Sequence, residues 1–529
     1  MSATYENPII YADYSDPDAV RVGADYYMIS SSFGNVPGIP VLHSTDLVSW
    51  KLINYVLKKI PGSRYSKAQH GCGVWAPAIR YHDGKYFVCF PMPDEGLYMC
   101  TAKDPAGEWS EPVQIYEGAG RIDPCPFWDD DGRAYLVSGV ARSRIGYKSV
   151  LHMQEMRPDG LGLIGEPKVI FDGNENDQKT IEGPKLYKRN GYYYVFAPAG
   201  GVPTGWQTVL RSKNIFGPYE YRVVMRQGNS DTNGPHQGAW VDTVTGEDWF
   251  IHFQDVDAAG RIVHLQPMKW REDWPIIGVP KDGEEYGEPV RSFRRPDVGE
   301  HNDERGEMST SCGENVSDRK GELRGLSVTY KSPELPWQWN ANPRGGWGNF
   351  YPDHIILNAV KKTGAYGDIP NLLLRKWEAP EFTDTLRFDL SGLSDGDEAG
   401  FISMGMEYGV VSFEKCSEGF KVKSIIGKQI FGKILVEDTE ERCEEIQTIL
   451  KDEASVFVRY AVSRPAHKNE SSDKNESELV TISFSIDGKN FTKAVEMNAV
   501  CGRWVGVKYG VFCTSATDET KGKLRVYGN

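Results

Sequence analysis

Apolar and polar positions along the first 290 residues fall into short alternating runs, without a stripe at helical spacing. The stretch Lys179–Gly201, KTIEGPKLYKRNGYYYVFAPAGG, shows the unit most fully. It opens on Glu182-Gly183-Pro184, turns at Asn190-Gly191 and continues as the aromatic run Tyr192–Phe196. Apolar runs on either side of an Asn-Gly pair predict a hairpin. Glu182 therefore starts a strand whose partner is Tyr192–Phe196. Four further stretches share the form, each a Gly, one or two polar residues and an aromatic-rich run, with glycines at 23, 84, 132 and 246.

The unit thus recurs roughly every 50 to 60 residues. Short strands at that period are the mark of a β-propeller, and five copies predict five blades. The strand before each glycine opens on a distinctive residue: Asp16, Trp75, Asp123, Glu182 and His236 in order. Innermost strands line a propeller's channel, so residues in register converge there. A single acid at a strand start is ordinary turn chemistry. Three acids in register, with an aromatic and a histidine completing the set, point to a site.

The rest of the chain has a different pattern. Arg291–Glu322 is polar, with almost no large apolar residue, and reads as a linker or crossing segment. From about Leu323 longer strand patterns follow without a repeat, among them 371–377, 385–393, 399–415, 455–462, 479–491 and 504–513, which suggest an antiparallel sandwich. The fold class is therefore all-β: a propeller over 1–290, a linker over 291–322 and a sandwich over 323–529. Ser463–Glu478 reads as a surface loop containing two glycosylation sequons, at Asn469 and Asn475.

Composition narrows the function. A net charge of −14 without a basic tract argues against nucleic acid or an anionic membrane surface as partner. Among the runs of the sequence none is long and apolar enough for a membrane span. MSATYENPII has neither a charged n-region nor an apolar h-region, so no signal peptide is read. Nine scattered cysteines without a CxxC read as free thiols, and a cytoplasmic location is expected. A metal-dependent hydrolase is disfavoured by the lack of HExxH or a His/Asp cluster at ligand spacing.

Glycoside hydrolysis needs a protonated acid beside the leaving oxygen and a carboxylate across the sugar. A third carboxylate nearby would keep the acid protonated. Aromatic faces such as Phe33 and Trp75 suit the apolar faces of a sugar. The motifs SDPD, HSTDLVSW, GVWAPAIRYHDGKYF, RIDPCPFWDDDGRAYLV, IEGPKLYKRNGYYYVFAPAGG and GPHQGAWVD, in that order, resemble glycoside hydrolase family 43. The closest likeness is to its β-xylosidase and α-L-arabinofuranosidase group, which carries a C-terminal sandwich of the concanavalin A-like kind.

The resemblance implies an inverting, exo-acting enzyme on xylo- or arabino-oligosaccharides that requires no cofactor. By motif, Asp16 is the general base, Asp123 the modulator of the acid's pKa and Glu182 the general acid. Asp13 then reads as a turn residue. Asp18 lies two residues beyond Asp16 on the same strand face, so register alone leaves it open. Arg261 resembles a substrate-binding arginine, with a surface ion pair as the alternative. His236 resembles a channel histidine that binds calcium or water, with a hydrogen-bonded core histidine as the alternative. Trp504 is the candidate for a sandwich aromatic that closes the pocket, although strand alternation favours burying it in the sandwich core. GNVPGIP after Phe33, and GCGVWAP, depart from the better-known β-xylosidases. The sequence leaves open xylose against arabinose, and also association into a homo-oligomer. A non-catalytic sugar-binding propeller is the alternative of another class, which the intact acid triad disfavours.

Overall fold

Each predicted hairpin is the inner pair of a four-stranded antiparallel sheet, and five such sheets form the propeller. The structure is a computed structural model that describes residues 3–299, 328–450, 454–464, 477–517 and 521–528. The inner strands of blades 1 to 5 are Asp18–Val22, Ala78–His82, Arg121–Trp128, Lys185–Arg189 and His236–Asp242. Lys185–Arg189 pairs with Tyr192–Phe196 through the Asn190-Gly191 turn, and the Glu182 N–H extends that ladder to the Pro198 carbonyl at 3.1 Å. Asp16, Trp75 and Glu182 therefore stand two or three residues before their strands, whereas His236 begins its strand. Asp123 lies inside its own, where the register shifts between Ile122 and Cys125.

The ring closes through the N-terminus. Thr4–Glu6 pairs with Ser292–Arg294, and Ile10 bridges Val263 of blade 5. The Asn7 side chain spans the same seam, donating to the Leu265 and Val290 carbonyls and accepting the Leu265 N–H. The stretch expected to be a linker from Arg291 thus begins as paired strand. Its apolar Phe293 packs edge-on against Trp249 at 6.0 Å and holds it to blade 5. Residues 300–322 of that stretch, the five residues after it, and the sequons at Asn469 and Asn475 lie outside the described residues. Thr329–Tyr330 then adds in parallel to the outer strand Lys51–Leu57 of blade 1.

Among the described residues the C-terminal region is a two-sheet sandwich whose sheets have eight and seven strands. Its core includes Trp377, Phe388, Phe401, Val411, Tyr460 and Tyr509, and a second cluster with Ile402, Tyr408 and Phe512 buries the alternate positions of the same strands. The long hairpin Gly419–Phe431 with Val436–Leu450 was not among the strands read from the sequence. Its second strand carries the charged run EDTEERCEE, which has no apolar alternation to read. Among the described residues it is the end strand of its sheet, with a partner on one side only, where charge is tolerated and discourages further pairing.

The sandwich docks onto the propeller through main-chain bonds. Val36 and Trp339 exchange N–H···O bonds of 2.9 and 2.6 Å, and Val507 N–H reaches the Ala258 carbonyl at 2.7 Å. The Asn342 side chain accepts from the Ile60 N–H and donates to the Ile60 carbonyl. Strand Lys508–Ser515 starts later than the sequence pattern predicts, because Trp504 to Val507 form a loop that meets the propeller.

Candidate active site

Asp16 and Asp123 both sit in left-handed backbone, at φ +55° and +53°. Aspartate tolerates that region better than most residues, yet each instance costs of order 1–3 kcal/mol and persists because its surroundings fix it. Asp16 Oδ2 accepts the Ser31 hydroxyl at 2.5 Å, and its Oδ1 meets Arg261 Nη1 at 3.0 Å. Asp123 Oδ2 accepts the Gly183 N–H at 2.8 Å. Gly183 has φ +61°, and a Cβ there would lie 2.8 Å from the Gln237 side chain, so the position needs glycine twice over. Glu182 is 27 % exposed and faces the cavity.

The three carboxylates share one electrostatic environment. Burial, then the Asp123 charge, pushes Glu182 up to about 8, against the lowering effect of Arg261. Burial and Asp16 push Asp123 up as well, while the Gly183 N–H opposes that rise. Among the described residues no comparable donor bonds the Glu182 carboxylate. A proton shared by this pair therefore resides on Glu182. The Arg261 guanidinium is buried against Asp16 and lies over the Phe253 ring at 4.9 Å, which makes it a site residue and not a surface ion pair.

All eight residues singled out in the sequence line one cavity of about 550 Å³, counted to its open mouth. Phe33, Trp75 and Trp504 form its aromatic wall, with ring centroids 6.4 Å apart for the first pair and 6.3 Å for the second. Trp75 is backed by the Arg144 guanidinium at 4.8 Å from its ring and donates its indole N–H to the Gly71 carbonyl. Trp504, at φ +70° and 45 % exposed, is a loop residue at the cavity and not a sandwich-core tryptophan. The loop does not extend the strand because its donors serve the propeller: Gly506 N–H goes to Asp13 and Val507 N–H to Ala258.

His236 is buried 3.6 Å from Glu182, and burial drives its imidazole down to about 3, so it is neutral. Among the described residues neither ring nitrogen has a hydrogen-bond partner. Calcium takes six to eight oxygens, and His236 offers one nitrogen. Among the described residues there is also no group of three or more His, Cys, Asp or Glu suited to hold a metal. These residues do not fit a protein cage for calcium.

Asp18 is excluded from the cavity. It is fully buried below it, accepting the Ile79 N–H at 2.7 Å and Arg80 Nη1 at 2.8 Å. Two residues at the site were missed in the sequence. Gln237 lines the cavity beside His236 because its φ of +32° and the register shift between His236 and Gly238 turn two successive residues to one side, which strand alternation does not predict. Asp13 read as a turn residue; it is buried and accepts bonds from Ser15, Arg261 and Gly506. Because two of those partners are distant in sequence, no local pattern marks it.

Known proteins resemble the chain in both regions. The model for "Glycosyl hydrolases family 43" matches residues 5–275, and that for "Beta xylosidase C-terminal Concanavalin A-like domain" matches 329–525. A Xylanibacter ruminicola protein named "Putative beta-xylosidase" is 42 % identical over 520 residues, covering 97 % of this chain and 86 % of that one. A Butyrivibrio fibrisolvens protein named "Xylosidase/arabinosidase" is 32 % identical over 291 residues, 51 % of this chain and 56 % of that one. The crystal structure of a xylan beta-1,4-xylosidase from Bacillus halodurans C-125 has the same fold, with a TM-score of 0.75 at 22 % identity over 99 % of both chains.

Proposed function

The chain belongs to glycosyl hydrolases family 43, and on that premise we propose that it is an inverting exo-glycosidase releasing β-1,4-linked xylose from the non-reducing ends of xylooligosaccharides. One observation carries the reading. Three carboxylates from three blades face a single aromatic cavity whose wall is completed by a tryptophan of the second domain. A pocket walled in this way suits a terminal sugar better than the middle of a chain.

In this reading Glu182 donates its proton to the glycosidic oxygen as the bond to the anomeric carbon breaks. Asp16 takes a proton from a water that attacks the same carbon from the opposite face. Arg261 and Ser31 hold Asp16 oriented. Asp123 acts through charge, keeping Glu182 protonated until the leaving oxygen needs the proton. Arg261 has further N–H donors for sugar hydroxyls. These side chains supply the whole reaction, without a cofactor. A cytoplasmic, reducing location belongs to the same proposal: all eight described cysteines are free, five of them buried.

A second reading is α-L-arabinofuranosidase activity in the same pocket, favoured by the relative named for both sugars. Turnover of paired aryl glycosides, β-D-xylopyranoside against α-L-arabinofuranoside, tests both. Faster xyloside turnover is expected. A reversed ratio would make arabinose the substrate, and no turnover of either would favour a binding propeller.

The pH profile offers a separate check. Glu182 works in its protonated form, so kcat/KM should fall as pH rises through the raised value of about 8. Asp123→Asn removes the charge that raises Glu182, and the falling limb should move to lower pH. A limb that stays in place would contradict the role given to Asp123.

A further inference from the structure

We propose that Asp13 is a positioning residue that joins the two domains at the active site, so that a single carboxylate sets both the aromatic wall at Trp504 and the base at Asp16. The inference rests on the glycosidase reading above. Asp13 is 6 % exposed, and its two oxygens face in two directions. Oδ1 accepts the Arg261 N–H at 3.1 Å and the Ser15 hydroxyl at 2.8 Å. Oδ2 accepts the Gly506 N–H at 3.0 Å, from the sandwich loop two residues beyond Trp504.

The backbone around it is equally constrained. The Arg261 carbonyl accepts the Tyr14 N–H at 3.0 Å, so Arg261 is held on both sides by residues 13 and 14. The Asp13 carbonyl itself accepts Lys376 Nζ of the sandwich at 2.5 Å. Gly260 and Gly506 meet where a Cβ on Gly260 would lie 2.7 Å from Gly506 and 2.8 Å from the Asp13 carboxyl carbon. The joint is therefore closed, with no room for slack to be taken up. From it the Arg261 guanidinium reaches Asp16, and the loop carries Trp504 to Trp75.

Both carboxylate oxygens accept from backbone N–H groups, so a carboxamide sets an N–H against an N–H. Asp13→Asn keeps size and removes the match. On xylobiose it is expected to raise KM about tenfold through Trp504 and to lower kcat about tenfold through Arg261 and Asp16, since small displacements of positioned groups are costly. In a Trp504→Ala background the KM effect should vanish and the kcat effect persist. Gly506→Ala disturbs the joint from the sandwich side, where its Cβ would meet the Ala259 carbonyl at 2.7 Å. It should reproduce the KM rise, so the proposal does not depend on one variant folding.

Unchanged KM and kcat in Asp13→Asn, or KM effects that simply add to those of Trp504→Ala, would overturn it. Hydrogen exchange needs no turnover and gives an independent readout. Asp13→Asn should speed exchange in segments 501–507 and 258–263 together, and acceleration in neither or in one alone would overturn the coupling. A wild type that hydrolyses no xyloside or arabinoside would sink the glycosidase reading, leaving the exchange result to judge Asp13.

Discussion

Asp16→Asn is expected to abolish hydrolysis of every substrate, activated or not, with losses of at least about 10³-fold in kcat, because water activation is needed whatever the leaving group. The substitution is nearly isosteric, and Ser31 can still donate to the amide oxygen, so the fold should hold. What disappears is the basic oxygen beside Arg261 and the charge that balances it. Steady-state rates on xylobiose and on an aryl xyloside measure the effect, and near-normal rates on either would remove Asp16 as the base. Asp18→Asn provides the contrast. It breaks a buried charge pair with Arg80, a change that costs about 3–5 kcal/mol, so its expected signature is a lower Tm and not a loss of turnover per folded molecule.

The contrast between Asp16 and Asp18 also marks what the sequence could and could not tell. The five hairpins were readable because each carries its own Gly turn and aromatic run, and register then placed Asp16, Trp75, Asp123, Glu182 and His236 at one end of the channel. Register could not separate Asp16 from Asp18, because residues two apart on a regular strand would share a face, whereas Asp16 precedes the strand at φ +55° and only Asp18 belongs to it. The separation comes from Arg80 and the Ile79 N–H of blade 2, which claim Asp18. Trp504 was ambiguous for a similar reason. Its neighbours alternate like a buried strand, and only the bonds from Gly506 to Asp13 and from Val507 to Ala258 turn that stretch into a loop. The strand Val436–Leu450 was invisible because its charged run 437–445 has no apolar alternation, and its place is given by pairing with Gly419–Phe431.

Glu182→Ala should divide substrates by leaving group. From xylobiose the departing group is a xylose alkoxide that must be protonated as the bond breaks, so turnover should fall by about 10³- to 10⁴-fold. An aryl xyloside with an acidic phenol departs without a proton and should lose far less, within about 10²-fold. The pH profile should change in the same variant. The falling limb belongs to the proton that burial and the Asp123 charge hold on Glu182, and without that carboxyl the activated substrate should be hydrolysed at a rate that no longer falls through pH 8. Equal losses on both substrates would mean that Glu182 serves binding or structure. His236 could not take over as the acid, since its imidazole is neutral at any working pH. Asp123 is tied to the Gly183 N–H and is only 4 % exposed, so it is the less accessible of the two raised carboxyls. Glu182 is the proposed acid because it is part-exposed to the cavity and held protonated by its neighbours, and the leaving-group series is the measurement that tests both properties at once.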